Sequence, residues 1–308
     1  MNMDDYKILP ARFDAVFASI FTHPNNKDRV LLSFIRHYFR KPDIVSDVIN
    51  VSDPRLVIDE RGEKYPVVDI RITMPGLIAH LEMQLKIYGY TRDRISYYHS
   101  KILGGELKEG DMYKDIRKLI TLCITNENLI HESSKYFHTF MMRDTEEDVT
   151  LTDKSRIDVL ELSKIPNECD GSPEWIWGSL FKADEEDEFD MLASRYPEVR
   201  GAVAAIKELS ADPDFRYQAF QMEKARRDLL SGLDEAETRG LEIGQKQGIE
   251  IGQKQGIEIG HKQGIEIGRT EGVISVAREL LSTNLTIDEI TRVTGLTREE
   301  VDHLRMMN

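Results

Sequence analysis

The segment YPVVDIRITMPGLIAHLEMQ, residues 65–84, predicts two short strands joined by a tight turn. In residues 67–73 polar and apolar side chains largely alternate, as they do in a strand with one buried face. A Pro-Gly pair then interrupts the run, and alternation resumes in residues 77–86. In the resulting hairpin, Asp69 and Glu82 lie on the polar faces of adjacent strands and face each other.

Two carboxylates on rigid, neighbouring strands suit a divalent cation. Mg²⁺ takes oxygen ligands, keeps several waters, and is usually held by one or two carboxylates together with the phosphates of its substrate. The open positions then serve a phosphodiester and an attacking water. On spacing alone, however, an Asp on the polar face of a strand is usually just solvated.

The same face of the second strand also carries His80, Gln84 and Lys86. A hydrogen-bonded structural role is the simpler interpretation of His80, and substrate positioning is the alternative.

Further motifs make the pattern more specific. The chain contains an Asp, then a Glu, and then a Gln two residues after the Glu. An R-x-x-Y-Y motif follows. A G-x-x-Y motif then precedes an apolar run. These residues are Asp69, Glu82, Gln84, Arg94, Tyr97, Tyr98, Gly110 and Tyr113. In these motifs the chain resembles the PD-(D/E)xK nucleases and, more closely, the Rpn family of recombination-promoting nucleases, also described as PD-(D/E)xK nuclease family transposases. The resemblance extends through most of the chain, including the repeat and tail near its end.

The resemblance implies a fold and a chemistry. It implies an α/β, restriction-endonuclease-like core, a mixed sheet flanked by helices. That core would hydrolyse DNA phosphodiester bonds with Mg²⁺ or another divalent cation and promote recombination or mobile-element movement. Asp69 and Glu82 would bind the metal. Gln84 stands where many relatives of the wider superfamily carry a catalytic Lys, and it can orient a water but supplies no positive charge. Lys86, on the same strand face, is a candidate to compensate. An acidic residue on the first helix lies near the active site in this family, so Asp14 is a candidate for metal or water positioning; a solvated first-turn Asp is the alternative.

The helix predicted to begin at Thr91, which is also its candidate cap, combines basic and aromatic side chains. Arg92, Arg94 and Tyr98 are candidates to contact DNA, because Arg forms bidentate pairs with phosphate and aromatic rings stack on bases. The alternative is that the tyrosines pack on the sheet and the charged residues face solvent; the resemblance favours a functional role for Arg94 only.

Because Gln84 replaces the usual Lys, the rival hypothesis is a non-catalytic, DNA-associated or oligomeric scaffold that retains the nuclease fold.

Charge and composition limit the classes of function. The 308 residues include 55 acidic and 41 basic side chains, which gives a net charge of −14. Residues 1–165 are nearly balanced, with 26 acidic and 24 basic side chains, so most of the net acidity lies beyond them. This distribution excludes a globally basic nucleic-acid binder but not a local basic face. Two cysteines argue against a disulfide framework. Without a signal-like or membrane-spanning apolar run, we expect a soluble cytoplasmic protein with no membrane partner.

Periodicity predicts the order of elements and domains. Amphipathic helices near residues 11–22 and 28–39 precede the hairpin. Strands are expected at residues 45–58, 65–73, 77–86, 118–125, 135–144 and 156–166, the first three of them forming an antiparallel meander. The predicted domains are a nuclease-like core (1–165), a helical extension (166–239), a Gly-rich repeat stalk (240–272) and a helix-turn-helix-like tail (273–308).

Residues 240–272 contain four similar octads in which Gly recurs every fourth residue. On a helix each four-residue step advances about 400°, so the glycines form a stripe that drifts by about 40° per step. The stripe allows a second helix to approach closely, while each interior Gly costs roughly 1 kcal/mol relative to Ala. We therefore predict a helical stalk that needs a partner, such as a second copy of the chain; a flexible linker is the alternative.

The tail predicts two short helices that begin after the capping residues Thr286 and Thr297, with Gly295 in the turn between them. Helix-turn-helix geometry is compatible with this pattern. The second helix combines Arg298 and Arg305 with three acidic residues, a poor match to a phosphate-rich groove. A packing or dimerisation module is therefore favoured over a DNA reader.

Overall fold

The computed structural model describes residues 7–52, 70–107 and 109–307. By its internal contacts the chain divides into two compact units, Met1–Asp228 and Leu229–Asn308. Within the described ranges no helix combines the length and the apolar composition needed to cross a membrane.

A mixed sheet forms the centre of the first unit. Its described strands are β1 (Asn50–Ser52), β2 (Ile70–Met74), β3 (Leu77–Gln84), β4 (Lys118–Thr125), β5 (Phe137–Met141) and β6 (Ser155–Glu161). They lie in the order β1-β2-β3-β4-β6-β5. The first three strands form an antiparallel meander, β3, β4 and β6 run parallel, and β5 returns antiparallel at the edge. The predicted meander and later strands are confirmed in the described part of the chain, except that residues 46–48 and 162–164 form 3₁₀ turns and β3 ends at Gln84. Residues 53–69 lie outside the described residues.

Helices cover both faces of this sheet. The described helices of the first unit are α1 (Asp14–Thr22), α2 (Leu32–Tyr38), α3 (Thr91–Gly104), α4 (Pro173–Lys182), α5 (Glu186–Arg195), α6 (Pro197–Ala211) and the first part of α7 (Pro213–Leu281). On one face, α1, α2, α4 and α6 share a single hydrophobic core with the sheet. Aromatic rings pack edge-on in this core. The centroid of the Phe34 ring lies 4.8 Å from that of Trp177 and 5.0 Å from that of Phe21. The opposite face carries α3 over a smaller apolar cluster.

Two helix starts differ from the sequence prediction. The second helix begins with a π-helical turn, Lys27–Leu31, before α2. Thr91 is the first residue of α3 rather than its cap, because the capping position belongs to Tyr90. The Thr91 hydroxyl instead accepts a hydrogen bond from the Tyr88 N–H at 2.9 Å, which ties the helix to the loop that follows β3.

One close approach in the core depends on a missing side chain. Gly201 in α6 packs against the backbone of Arg29 in the turn Lys27–Leu31. A Cβ at position 201 would lie 2.1 Å from the Arg29 carbonyl oxygen and 2.9 Å from its carbonyl carbon. These distances are far below van der Waals contact, so the helix can lie this close only with Gly at that position.

The second unit contains the rest of α7, then α8 (Ile287–Thr294) and α9 (Arg298–Met306). Residues 240–272 are helical within α7. Both predicted capping residues begin their helices, and each forms a capping box, with Glu289 and Glu300 as the reciprocal partners. Gly295 ends α8 with φ +74°, the left-handed conformation that Gly adopts without cost. The last turns of α7 pack with α8 and α9 around Ala277, Ile290, Val301 and Leu304.

Candidate active site

Glu82 lies in the middle of a strand that is buried on both faces. Its neighbours Leu81 and Met83 belong to the main hydrophobic core, so Glu82 points to the other face, under α3. Only 4% of Glu82 is exposed. Its Oε1 accepts a hydrogen bond from Arg94 Nη2 of α3 at 3.0 Å and one from Gln84 Nε2 at 2.5 Å. Its Oε2 is buried and has no hydrogen-bond partner among the described residues.

The electrostatics of Glu82 fit a cation-binding carboxylate. Burial raises its pKa, while the charge of Arg94 and the hydrogen bonds from Arg94 and Gln84 act in the opposite direction. One oxygen is therefore fixed by donors, and the other is desolvated without a partner. A buried carboxylate oxygen in this condition is stabilised by a proton or by a hard cation. The donor set present at Glu82 thus fits a divalent metal ion.

Gln84 and Lys86 differ in their relation to Glu82. Gln84 is the last residue of β3 and donates its side-chain amide to Glu82, so these two side chains share one face as predicted. Lys86 was predicted on the same strand, but β3 ends at Gln84 and Lys86 follows in the loop. Its Nζ lies 5.7 Å from the centre of the Tyr88 ring, a cation–π distance.

Asp69 lies outside the described residues, so its predicted position opposite Glu82 is not described. The last described pair on this side of the hairpin joins Ile70 to Leu81. Among the residues whose placement is described, no three His, Cys, Asp or Glu side chains form a group that could hold a metal.

Comparison with known families identifies the family of this chain. A family model described as PD-(D/E)XK nuclease family transposase matches residues 11–236. The chain belongs to the PD-(D/E)XK nuclease family transposases. The resemblance found in the sequence motifs is thereby confirmed, and the mixed sheet flanked by helices is consistent with a PD-(D/E)XK core. Curated proteins gave no match, and neither did solved structures. Family membership implies a nuclease in general, with DNA as substrate, and such nucleases generally use divalent metal ions.

Asp14, the candidate site residue on the first helix of this PD-(D/E)XK family member, has a charged partner on another helix. Asp14 lies in the first turn of α1, and its Oδ2 is 4.0 Å from Arg226 Nε of α7. Arg226 also pairs with Glu223 at 2.7 Å. The structure therefore places Asp14 beside the guanidinium group of Arg226. A role for Asp14 at the metal stays a prediction.

The three predicted DNA contacts have different surroundings in this PD-(D/E)XK protein. Arg92 forms a bidentate pair with Glu132 at 2.6 and 3.0 Å and donates to the Leu129 carbonyl at 2.6 Å. Its guanidinium thus holds the loop after β4 against α3. Arg94 is the side chain that bonds Glu82. Tyr98 is half-buried, with its ring 5.5 Å from that of the more exposed Tyr97. Their contact with DNA stays a prediction.

Two buried histidines, His80 of β3 and His99 of α3, lie between the sheet and α3 on the side of Glu82. His80 is 1% exposed, and neither ring nitrogen has a hydrogen-bond partner in the described part of the chain. The hydrogen-bonded structural role expected for His80 is therefore not observed there. Burial lowers its pKa to about 3. His99 of α3 bridges the sheet, with its ring nitrogens 2.8 Å from Thr121 Oγ1 and 2.8 Å from Ser155 Oγ.

A buried carboxylate that the sequence did not single out shapes the loop near α3. Glu161, the last residue of β6, is fully buried. Its Oε1 accepts the N–H groups of Leu129 and Ile130 at 2.7 and 3.0 Å, and its Oε2 accepts from Lys164 at 2.8 Å. The available signal was a Glu flanked by Val159, Leu160 and Leu162 in a predicted strand, because a charge among apolar residues needs partners.

The buried state of His99 predicts a loss of stability in acid. Burial lowers the His99 pKa from 6.5 to about 4. Between these values the unfolded chain binds more protons than the folded one, so the free energy of unfolding falls as the pH is lowered. We expect about 2 kcal/mol of this fall to come from His99. Urea unfolding at pH 7 and pH 4.5 measures it, and His99→Gln should reduce the difference by that amount. An unchanged difference in the variant would contradict the assignment.

Proposed function

We propose that this chain is a metal-dependent DNA endonuclease that hydrolyses phosphodiester bonds, with Asp69 and Glu82 as ligands of one divalent cation. The observation that carries the proposal is the state of Glu82: it is buried, one oxygen is held by Arg94 and Gln84, and the other has no partner among the described residues. Mg²⁺ or a similar hard cation would bind the second oxygen of such a carboxylate and balance its charge.

The register of the hairpin supports Asp69 as the second ligand. In an antiparallel pair each step back along one strand is a step forward along the other. Ile70 pairs with Leu81, and we propose that the ladder continues by one residue, which would bring position 69 opposite Glu82. Side chains of directly opposite residues lie on the same face about 5 Å apart at Cβ. We therefore propose that Asp69 and Glu82 share the cation.

The residues around Glu82 have separate tasks in this proposal. Arg94 and Gln84 both donate to Oε1, so Oε2 would be the oxygen that holds the cation. The second N–H and the carbonyl of the Gln84 amide remain to orient a water for in-line attack. When bound, the cation lowers the pKa of the attacking water and offsets charge on the phosphorane-like transition state. We assign Tyr98, whose ring is half-buried on α3, the task of stacking on a base.

The family description and the site together support the finer parts of the proposed function. A nuclease of a transposase family is suited to promoting recombination or mobile-element movement, since both need broken phosphodiester bonds. The competing function, a non-catalytic DNA-associated or oligomeric scaffold, gains support from Gln84 at the position of the usual Lys.

Plasmid nicking tests the proposal. Purified protein is incubated with supercoiled plasmid in Mg²⁺, in Mn²⁺ and in EDTA, and relaxed and linear products are followed by gel electrophoresis. We expect relaxation with either metal and none with the chelator. Nicking that persists in EDTA would contradict metal dependence, and intact plasmid under every divalent metal would favour the scaffold.

We further propose that residues 240–272 associate with a second copy of the chain. The eight Leu and Ile side chains of the octads are each more than half exposed. A Cβ added at any glycine from Gly240 to Gly272 would meet nothing within 4 Å, so the stripe is open along its length. Alternating Glu and Lys along the helix, as in the pair Glu250–Lys254 at 2.8 Å, makes the surface complementary to a copy of itself.

Replacing glycines in the stripe should separate helix stability from association. Gly248→Ala with Gly256→Ala should strengthen the helix by about 1 kcal/mol per site and shift the protein toward monomer, because the added methyl groups hold a partner backbone away. Sedimentation velocity measures the shift. Gly232→Ala, in the same helix before the repeat, should leave the oligomeric state unchanged. An oligomer insensitive to the stripe substitutions would show that the stripe is not the interface.

A further inference from the structure

A hydrophobic surface lies on the connection between β5 and β6. After β5 the chain forms a hairpin in which Leu151 N–H donates to the Met142 carbonyl at 3.0 Å and residues 143 and 150 form a β-bridge. Met142 and Leu151 are therefore directly opposite each other and lie on one face. Two-residue periodicity places Phe140 and Val149 on that same face. We call these four side chains the hairpin face.

The hairpin face is unusually exposed. Phe140 is 45% exposed, Met142 50%, Val149 54% and Leu151 80%. With ordinary side-chain areas these fractions amount to about 400 Å² of exposed apolar surface, at the scale that marks an interaction site rather than scattered surface residues.

The hairpin face continues into a groove beside α3. Phe140 pairs across the ladder with Ile157, and both line a groove of about 420 Å³ together with Ile95 of α3 and Ile130. Helix α3 therefore covers only part of this side of the sheet. The Arg92–Glu132 pair forms one rim of the groove. An apolar floor of this size has room for several side chains of a bound segment.

Acidic residues surround the tip of the hairpin. Residues 143–148 carry four acidic side chains and one basic one. The basic residue, Arg143, is paired with Asp148, which leaves Asp144, Glu146 and Glu147 as a local excess of negative charge. The Asp144 carboxylate accepts the N–H groups of residues 146 and 147 and is held in the turn. A bound segment would therefore meet negative charge beside the apolar surface.

We propose that the hairpin face and its groove bind a short, basic, amphipathic segment of a partner protein. DNA is a poor occupant, because the acidic tip repels phosphate. A second copy of this acidic chain is also a poor occupant, and the face offers about half of the 800 Å² that each partner of a stable interface usually buries. A short segment with apolar anchors and Lys or Arg between them matches both the area and the charge.

The edge position of β5 favours an extended form for this segment. β5 is the terminal strand of the sheet order, so its outer edge carries backbone groups that an added strand can pair with. In an added strand, alternate side chains point to the same face as Phe140 and Met142, toward the groove. The remaining side chains face away, and basic residues among them can reach the acidic tip.

A peptide of defined composition tests the proposal. We would titrate the full chain into a fluorescein-labelled peptide of alternating Leu and Lys, about ten residues long, and measure anisotropy at physiological salt. A matched peptide of alternating Leu and Glu is the charge control. We expect saturable binding of the Lys peptide and binding weaker by about tenfold or more for the Glu peptide.

Two sets of variants locate the binding. The neutral substitutions Met142→Ser and Leu151→Ser should weaken binding by about tenfold, while Val45→Ser and Val48→Ser, at exposed apolar positions elsewhere in the same unit, should not. Glu146→Lys with Glu147→Lys should weaken the Lys peptide and improve the Glu peptide. Binding that ignores the hairpin substitutions, equal binding of both peptides, or no binding at all would each overturn the proposal. Because no DNA is present, the outcome is independent of nuclease activity.

Discussion

Replacing Glu82 with Gln is expected to abolish plasmid nicking while leaving the fold intact. The substitution keeps the shape of the side chain but removes its charge, so the buried oxygen no longer attracts a cation. Changes to residues that merely orient a metal ligand typically cost 10- to 100-fold, so loss of a ligand should cost at least about 100-fold in rate. Initial rates of plasmid relaxation in Mg²⁺ measure the effect, and circular dichroism confirms the fold.

A buried glutamate elsewhere provides the matched control. Glu174 in α4 is also buried, and it pairs with Arg40 at 3.7 Å. Glu174→Gln should therefore leave the nicking rate within about twofold of the parent. Asp69→Asn should match Glu82→Gln. Full activity in Glu82→Gln, or an equal loss in Glu174→Gln, would remove Glu82 from the site.

Gly201→Ala is expected to be the most destabilising single-methyl change in the first unit. The added Cβ would lie 2.1 Å from the Arg29 carbonyl oxygen. A backbone atom cannot rotate away as a side chain can, so α6 or the turn Lys27–Leu31 must move. We expect a loss of about 3 kcal/mol in the free energy of unfolding, after the gain in helix propensity is included. Thermal and urea unfolding measure it.

Gly178→Ala, in α4 of the same core, distinguishes backbone from side-chain obstruction. Its Cβ would meet Ile165 Cδ1 at 2.6 Å and the methyl groups of Leu160 at 3.4 Å. These are the ends of side chains that can shift, so the expected loss is about 1 kcal/mol or less. Equal losses in the two variants would show that the contact between Gly201 and Arg29 is not what limits packing here.

The face of Glu82 could be predicted from sequence because a strand allows only two side-chain directions. Alternation in residues 77–84 separated Leu81 and Met83 from Glu82 and Gln84, and the structure has the same separation. What alternation could not predict is that the polar face is covered. A row of polar side chains along a strand predicts a face exposed to solvent, yet α3 buries His80 and Glu82. Only the tertiary fold determines which face of the sheet a helix covers.

Partners distant in sequence account for most of what the sequence could not predict. Arg92 was a candidate for phosphate, but Glu132 lies 40 residues further along the chain and pairs with it in the fold. Asp14 meets Arg226 from the far end of the first unit. Local periodicity carries no information about such pairs, whereas the tail helices could be predicted because Thr286 and Thr297 each bond within their own first turn.

Titration calorimetry with Mn²⁺ tests the central claim most directly, because it measures metal binding without DNA or turnover. We expect the parent protein to bind one ion per chain with a saturable isotherm. Asp69→Asn and Glu82→Gln should each weaken this binding by about 100-fold, and Glu174→Gln should not change it. Equal Mn²⁺ affinity in the parent and in both site variants would contradict the assignment of Asp69 and Glu82 as the metal ligands.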